Sequence, residues 1–409
     1  MRILVVGENF PWPANGGGLI RLAYSIEALA GMGDVDLFCL CDPRRTERSV
    51  PRGVELTRVG TTPYPRADRP WRWRLSWSVR PGVPLEVAMR RLDQVPREAF
   101  EAWARGPYDL VWFSTAATYD WLGRPRLGPT VVDLVDLEDE KERQRTALLR
   151  GAAEPEGVGG GLRRFGAVAQ SWLNARDWRT FERVVSAGVE RVVLASPLDV
   201  GRSGLVNAST VPNVLRRPDP PLGHEQVGHP PSLLFQGSLN YAPNMDAADW
   251  FVREIAPRIR DLVPGAVVRL VGRPTPGVER LDEPPRVTVV GRVADMGAEL
   301  ERADLVVVPL RYGSGTRIKI LESFAHRIPV VSTTIGAEGL DVVDGVHLLL
   351  GDDPDTFAAQ CQRVLTDAAL RRRILDAAED HFLQHSTFAV AQGAIRDLVH
   401  EVVGPGSSR

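Results

Sequence analysis

Between Tyr312 and Glu322 the chain reads Tyr-Gly-Ser-Gly-Thr-Arg-Ile-Lys-Ile-Leu-Glu. Small residues ahead of a helix let backbone N–H groups gather around an anion, and Gly315 and Thr316 stand at that point. Arg317 can fork onto a diphosphate, and Lys319 can set a compact charge beside it. Leu321 and Glu322 follow one turn on, where a carboxylate can accept two ribose hydroxyls. The same residues would also make an ordinary solvated loop. Lys319 carries extra weight because only Lys141 and Lys319 occur against 48 arginines, 50 minus 2. A chain that uses Arg wherever either cation serves has kept a Lys here.

Three further groups of residues could do chemistry. Gly16-Gly17-Gly18 separates a strand-like run from a helical one, so Gly17 and Gly18 could meet a phosphate or sugar, or simply form a connection. The segment is not a G-x-G-x-x-G, and Asp42 is followed by Pro43, which breaks the dinucleotide register. The acidic stretch Asp133 to Asp139 follows a strand. In it Asp136 could orient a sugar or act as base, or be a solvated loop acid, and Asp133 reads as structural. Trp71, Trp73 and Trp77 alternate with Arg72 and Arg74; they could stack on an acceptor, touch a membrane surface or pack. All seven histidines lie at or after His224, so any chemistry in the first half proceeds without imidazole.

The elements that must position these residues are short apolar runs. Arg2–Gly7, Asp36–Cys41, Asp109–Phe113, Thr130–Leu134 and Arg191–Leu194 read as buried parallel strands, with a helix over Leu19–Leu29 between the first two. After a Pro/Gly/Arg/His-rich linker, Val214–Pro231, a second set follows: Ser232–Phe235, Val267–Gly272, Val287–Gly291, Leu305–Val308 and Val330–Ser332. Helices are expected over Asp246–Val263 and Ile318–His326, and the tail Asp355–Val403 reads as helical. Glu154–Gly161 reads as a mobile loop. The fold class is α/β, two doubly wound Rossmann-like domains.

Composition narrows the function. The 409 residues carry a formal charge of -2, without the basic excess of a nucleic-acid coat. No apolar run of about 18 residues exists. Met1 opens directly into the first strand, which argues against a signal peptide. Cys39, Cys41 and Cys361 are too few for a disulfide framework and read as buried thiols. A cytoplasmic globular protein is expected. No His, Cys or carboxylate cluster has metal-ligand spacing, so no metal and no cofactor is expected.

Pro309 to Gly339, containing Lys319-Ile320-Leu321-Glu322-Ser323-Phe324-Ala325 and Pro329-Val330-Val331-Ser332-Thr333, resembles the donor-binding segment of family 4 glycosyltransferases. Phe235–Asn244 looks like the start of that family's second domain, Val211-Pro212-Asn213 like the end of its first, and Val290-Gly291-Arg292-Val293 like its nucleobase-cupping segment. The resemblance is strong over Val211–Leu350 and weaker before it. It implies a GT-B fold whose two domains face a cleft: acceptor domain 1–212, donor domain 213–385, and a helix, 386–409, returning to the first. It also implies sugar transfer from a nucleotide donor to an acceptor with retention and without metal, and the arginine-rich, lysine-poor composition, that of a high-GC bacterium, leaves both specialised-metabolite and polysaccharide or lipid-linked glycan hydroxyls open as acceptors. Ser238, Asn240, Arg292 and Val293 join the donor residues through it. The family's pair of glutamates would place the first at Ser314, so only Glu322 remains. Its Arg and Lys after the strand Ser232–Phe235 are absent, leaving Arg317 and Lys319 as the clamp. A nucleotide-sugar epimerase and a binding protein without catalysis are the competing readings.

Overall fold

A computed structural model describes residues 1–14, 16–45, 50–67, 82–151, 158–218, 226–315 and 317–404. Trp71, Trp73, Trp77 and Thr316 lie outside the described residues. The chain divides into two compact units, Met1–Asn213 with Ala391–Arg409, and Val214–Val390.

The first unit is built on seven parallel strands: β1 (Arg2–Gly7), β2 (Asp34–Leu40), β3 (Arg58–Thr62), β4 (Leu110–Phe113), β5 (Thr130–Asp133), β6 (Arg191–Leu194) and β7 (Ala208–Thr210), in the order 3-2-1-4-5-6-7. The central strands are apolar throughout because helices cover both faces of a parallel sheet. Val5 sits between Leu37 and Trp112 in the ladder. Val6, Phe38, Phe113 and Val132 belong to one core cluster with Phe181 of the helix Val158–Ser186. The expected loop Glu154–Gly161 is corrected in part. Its last four residues are helical, because the helix starts at Val158. The remainder lies outside the described residues.

The second unit repeats the plan with six strands: β8 (Ser232–Gln236), β9 (Val267–Val271), β10 (Val287–Gly291), β11 (Leu305–Val308), β12 (Val330–Ser332) and β13 (Leu349–Leu350), in the order 10-9-8-11-12-13. In both sheets the strand order reverses beside the first strand of the set, between β1 and β4 and between β8 and β11. Ligands of doubly wound sheets sit beyond the strand ends at such points. The expected helix Asp246–Val263 is three joined pieces: Ala242–Trp250, a π turn at Phe251–Ile255, and Ala256–Leu262. The helical tail is three helices, Pro354–Thr366, Ala368–His385 and Phe388–Val403. Asp353 and Asp367 cap the first two by accepting from backbone N–H groups of the opening turn.

Candidate active site

At the switch point of the second sheet, β8 ends in Gln236 and Gly237 follows it. The ladder continues past the strands, with Gly237 N–H donating to Val271 and Gly272 N–H to Gly291. A Cβ on Gly272 would lie 1.7 Å from the Gly237 carbonyl oxygen, and both glycines have positive φ (145° and 146°). Only glycine at both positions lets these strand ends close up. Arg292 and Val293 leave the sheet just beyond Gly291, Arg292 exposed and Val293 half-buried.

The loop after β11 turns through Gly313 and Gly315, at φ of 144° and 80°, into the helix Ile318–Ala325. Among the described residues its first turn carries no acidic side chain and Arg317 makes no side-chain cap, which leaves the positive end of the helix available to an anion. Lys319 Nζ donates to Asn244 Oδ1 at 2.9 Å and lies 4.7 Å from the Phe235 ring centre. Burial, and then the charge of Arg317, pull the Lys319 ammonium down to about 7. Glu322 Oε2 accepts from Gln236 Nε2 at 3.0 Å. Burial pushes its carboxyl up to about 7 against that hydrogen bond. The other end of the Gln236 amide, Oε1, is buried with no partner among the described residues.

Arg317 corrects the sequence reading. Its Nε and Nη2 donate to the Ile335 carbonyl, Nη2 also to Gly313, and Nη1 to Ser314. A buried guanidinium engaged by three backbone carbonyls shapes the loop and is not presented as a diphosphate fork. Gly315 is buried in that loop and Leu321 in the core beneath it, whereas Ser238 and Asn240 are exposed. Gln236 and Asn244 are the residues the sequence reading passed over. The available signal was a Gln ending an otherwise apolar strand, with an Asn eight positions on.

The first sheet carries its own pocket of about 230 Å³, lined by residues that follow β1, β3, β4 and β5. Asp136 lies in its wall, half-buried. Asp133, at the end of β5, is bound through Oδ2 by Arg21 Nε at 2.7 Å, both groups buried. Arg21 also donates to the Val211 carbonyl and to Asn213 Oδ1 at 2.7 and 2.9 Å. Val211-Pro212-Asn213 thus anchors the end of the first stretch of this unit to its opening helix, Gly17–Ala30. Gly17 and Gly18 form the exposed start of that helix. The N-cap Gly16 is extended, at φ −169°, and a Cβ at Gly16 or Gly18 would meet open space. Positive φ is not what these glycines supply.

Among the described residues no group of three or more His, Cys, Asp or Glu could hold a metal ion. No helix of the described residues is long and apolar enough to cross a membrane.

The two sheets have a known fold. Residues 230–367 match the family model described as glycosyl transferases group 1. The fold is that of GT-B enzymes. Sucrose-phosphate synthase of Thermosynechococcus elongatus superposes with a TM-score of 0.65 at 17% identity, over 98% of this chain and 99% of that one. HepE of Anabaena, solved in complex with UDP-glucose, gives 0.60 at 14% identity, over 98% and 100%. WaaG, a glycosyltransferase involved in lipopolysaccharide biosynthesis, gives 0.60 at 13%, over 98% and 100%. In sequence, an uncharacterized 44.6 kDa protein in the cps region of Klebsiella pneumoniae is 22% identical over 372 residues, 87% of this chain and 89% of that protein. The second unit matches the group 1 glycosyl transferase model over residues 230–367, and the chain as a whole has the GT-B fold of these glycosyltransferases.

Proposed function

We propose that the chain moves a sugar from a nucleotide-diphosphate donor to an acceptor hydroxyl, with retention of anomeric configuration and without a metal. The observation that carries this is the pairing of Lys319–Asn244 with Gln236–Glu322 at the switch point of the second sheet. One pair offers an ammonium beside an uncapped helix start; the other offers a carboxylate and an open amide oxygen for ribose. As the bond from the sugar's anomeric carbon to the diphosphate breaks, Lys319 and the helix dipole neutralise the charge gathering on the leaving group. Arg317 holds the loop that presents them. The acceptor oxygen forms the new bond on the same face and gives up its proton, and Asp136 orients the sugar or assists that proton's departure. Gly17 and Gly18 offer the exposed N–H groups of a helix start to the donor. Cys39, Cys41 and Cys361 are buried free thiols, which fits a reducing, cytoplasmic setting.

HepE's complex with UDP-glucose makes UDP the first nucleotide to try. The full chain is titrated calorimetrically with UDP, then incubated with UDP-glucose, UDP-N-acetylglucosamine and GDP-mannose, each with and without acceptor hydroxyl compounds. The expected results are nucleoside diphosphate binding, slow donor hydrolysis, and an α-linked product by NMR. An epimerised donor formed without acceptor would replace this reading with the epimerase. Tight binding with neither hydrolysis nor transfer from any donor would leave a binding protein.

A further inference from the structure

Lys319 is held by neutral groups. Its Nζ donates to Asn244 Oδ1, and the Phe235 ring faces it 4.7 Å away. Amide and ring orient an ammonium through a dipole and a quadrupole, and neither cancels its charge. Among the described residues Lys319 makes no ion pair with a carboxylate, and Thr316, which lies outside them in this loop, is uncharged. The charged groups on the elements around it are otherwise engaged. In the loop after β11, Arg317 is taken by backbone carbonyls and adds positive charge. On the helix Ala242–Trp250, Asp246 is bound by Arg311 at 2.6 and 3.0 Å, and Asp249 by Arg253 at 2.7 Å. On its own helix, Glu322 accepts from Gln236. Neither helix has an acidic residue in its first turn or a side-chain cap, so both positive ends add to the same field.

Asn244 suits this place in a way that aspartate would not. It is buried, and both ends of its amide are used: Nδ2 donates to the Ser238 carbonyl at 3.1 Å while Oδ1 faces Lys319. A flipped amide would set its NH₂ against the ammonium and its oxygen against the carbonyl, so these neighbours fix the orientation. Gly237 leaves the room, since a Cβ there would lie 2.9 Å from Asn244 Nδ2 and 3.3 Å from Lys319 Nζ. We infer that Asn244 is a positioning residue that aims the Lys319 ammonium while leaving its charge uncompensated, so that the donor's diphosphate supplies the counter-charge. Asn244 acts in this way only if Lys319 meets the donor's phosphates, as proposed above, and it then makes the site select nucleoside diphosphate over nucleoside. Burial draws the free ammonium down to about 7, so diphosphate binding above that pH takes up a proton.

The full chain is titrated calorimetrically with UDP, GDP and their nucleosides at pH 8, in buffers of different ionisation enthalpy. Glu322 is already largely ionised at that pH, so diphosphate binding by wild type should take up close to one proton, on Lys319. Asn244→Asp puts a carboxylate where the amide oxygen stands. It should hold Lys319 protonated, abolish the uptake and weaken diphosphate binding at least tenfold, the scale of one charge-assisted contact, with nucleoside affinity nearly unchanged. Asn244→Ala loses the aim but keeps the charge, and should weaken diphosphate binding about fivefold, the scale of one hydrogen bond. A purely structural amide gives the opposite order, since aspartate keeps an oxygen for Lys319 and alanine keeps none. Diphosphate binding by wild type without proton uptake overturns the positioning role, and that measurement stands whether or not either variant folds. Tighter diphosphate binding by Asn244→Asp than by Asn244→Ala overturns it as well, and both results leave the donor reading in place. A wild type that binds neither diphosphate removes the donor reading and the role of Asn244 together.

Discussion

Lys319 and Glu322 are held in opposite ways from the states a donor needs. The ammonium is drawn down and the carboxyl pushed up, both to about 7 and both chiefly by burial. A diphosphate restores the charge on Lys319. Lys319→Ala should therefore weaken nucleoside diphosphate binding by ~1.5–3 kcal/mol while free nucleoside binds almost as before, and Glu322→Gln should weaken both ligands. Calorimetry with UDP and uridine decides it, and equal losses on both ligands for Lys319→Ala would remove the phosphate assignment. Glu322 also leaves a mark on stability. Its native pKa is raised, so the folded state binds more protons between about 4.5 and 7, and stability from this group is lost as pH rises through that window. Gln at this position keeps an oxygen for the Gln236 amide and does not titrate. The Tm of ligand-free Glu322→Gln relative to wild type should therefore grow from pH 5 to pH 8. With the carboxyl partly exposed, the gain is about 1 kcal/mol, or about 2–4 °C for units of this size. A flat Tm difference across that range would mean Glu322 is ionised alike in both states. Asp136 is tested by turnover. Asp136→Asn should lower it by ~10²-fold or more with UDP affinity near wild type, and unchanged turnover would return it to a solvated loop acid.

At the scale of elements, buried arginines fix where loops and helices go. Arg21 ties the helix Gly17–Ala30 to β5 through Asp133 and to the chain after β7 through Val211 and Asn213. Removing it strands a buried carboxylate, so Arg21→Ala should cost about 3–5 kcal/mol in urea unfolding of the first unit. A loss under 1 kcal/mol would show that Asp133 is neutral or hydrated there. The elements themselves were largely legible. β1, β5, β6, β11 and β12 follow uninterrupted Val/Ile/Leu runs, because strands covered on both faces admit little else. β3, Arg-Val-Gly-Thr-Thr, was not legible. It lies at a sheet edge, where one neighbour is missing and the apolar demand relaxes, and β7 and β13 are short strands at two of the other three edges. Of the site, Lys319 and Glu322 could be picked out because helical spacing puts them on one short helix. Gln236 and Asn244 left only the mark of a Gln ending a strand and an Asn eight positions on, since nothing in the spacing says which side chains meet Glu322 and Lys319. Arg317 was misjudged for a related reason: residue type announces a guanidinium but not whether carbonyls have already taken its N–H groups. The pocket carboxyls Glu8, Glu86 and Glu182 are gathered by the fold from distant stretches of sequence.

Across the whole molecule the chain leaves the first unit after Asn213 and rejoins it at Ala391. The proposed reaction assigns charge neutralisation on the leaving group to Lys319 and a helix start, so activity should survive excess EDTA. Complete loss, restored by Mg²⁺ or Mn²⁺, would mean the leaving group is handled by an ion. The return of the chain has its own consequence. In the helix Phe388–Val403, Ala391, Ile395, Leu398 and Val399 are buried, and residues from Ala391 onward cluster with the first unit. Glu401 pairs with Arg191 at the start of β6, and the Gln392 side chain lies close to Gly31. Burying Ile395, Leu398 and Val399 at about 1.5–3 kcal/mol each contributes roughly 5–9 kcal/mol. That is comparable to the entire stability of an ordinary domain. Ending the chain after Val390 should therefore unfold or aggregate the first unit while sparing the second, whose sheet and nucleotide-binding residues Gln236, Asn244, Lys319 and Glu322 all lie within Val214–Val390. The truncated chain should still bind UDP in calorimetry but show one fewer unfolding transition and no transfer to any acceptor. A truncated chain that keeps both transitions and full transfer would show that the helix is dispensable to the unit it joins.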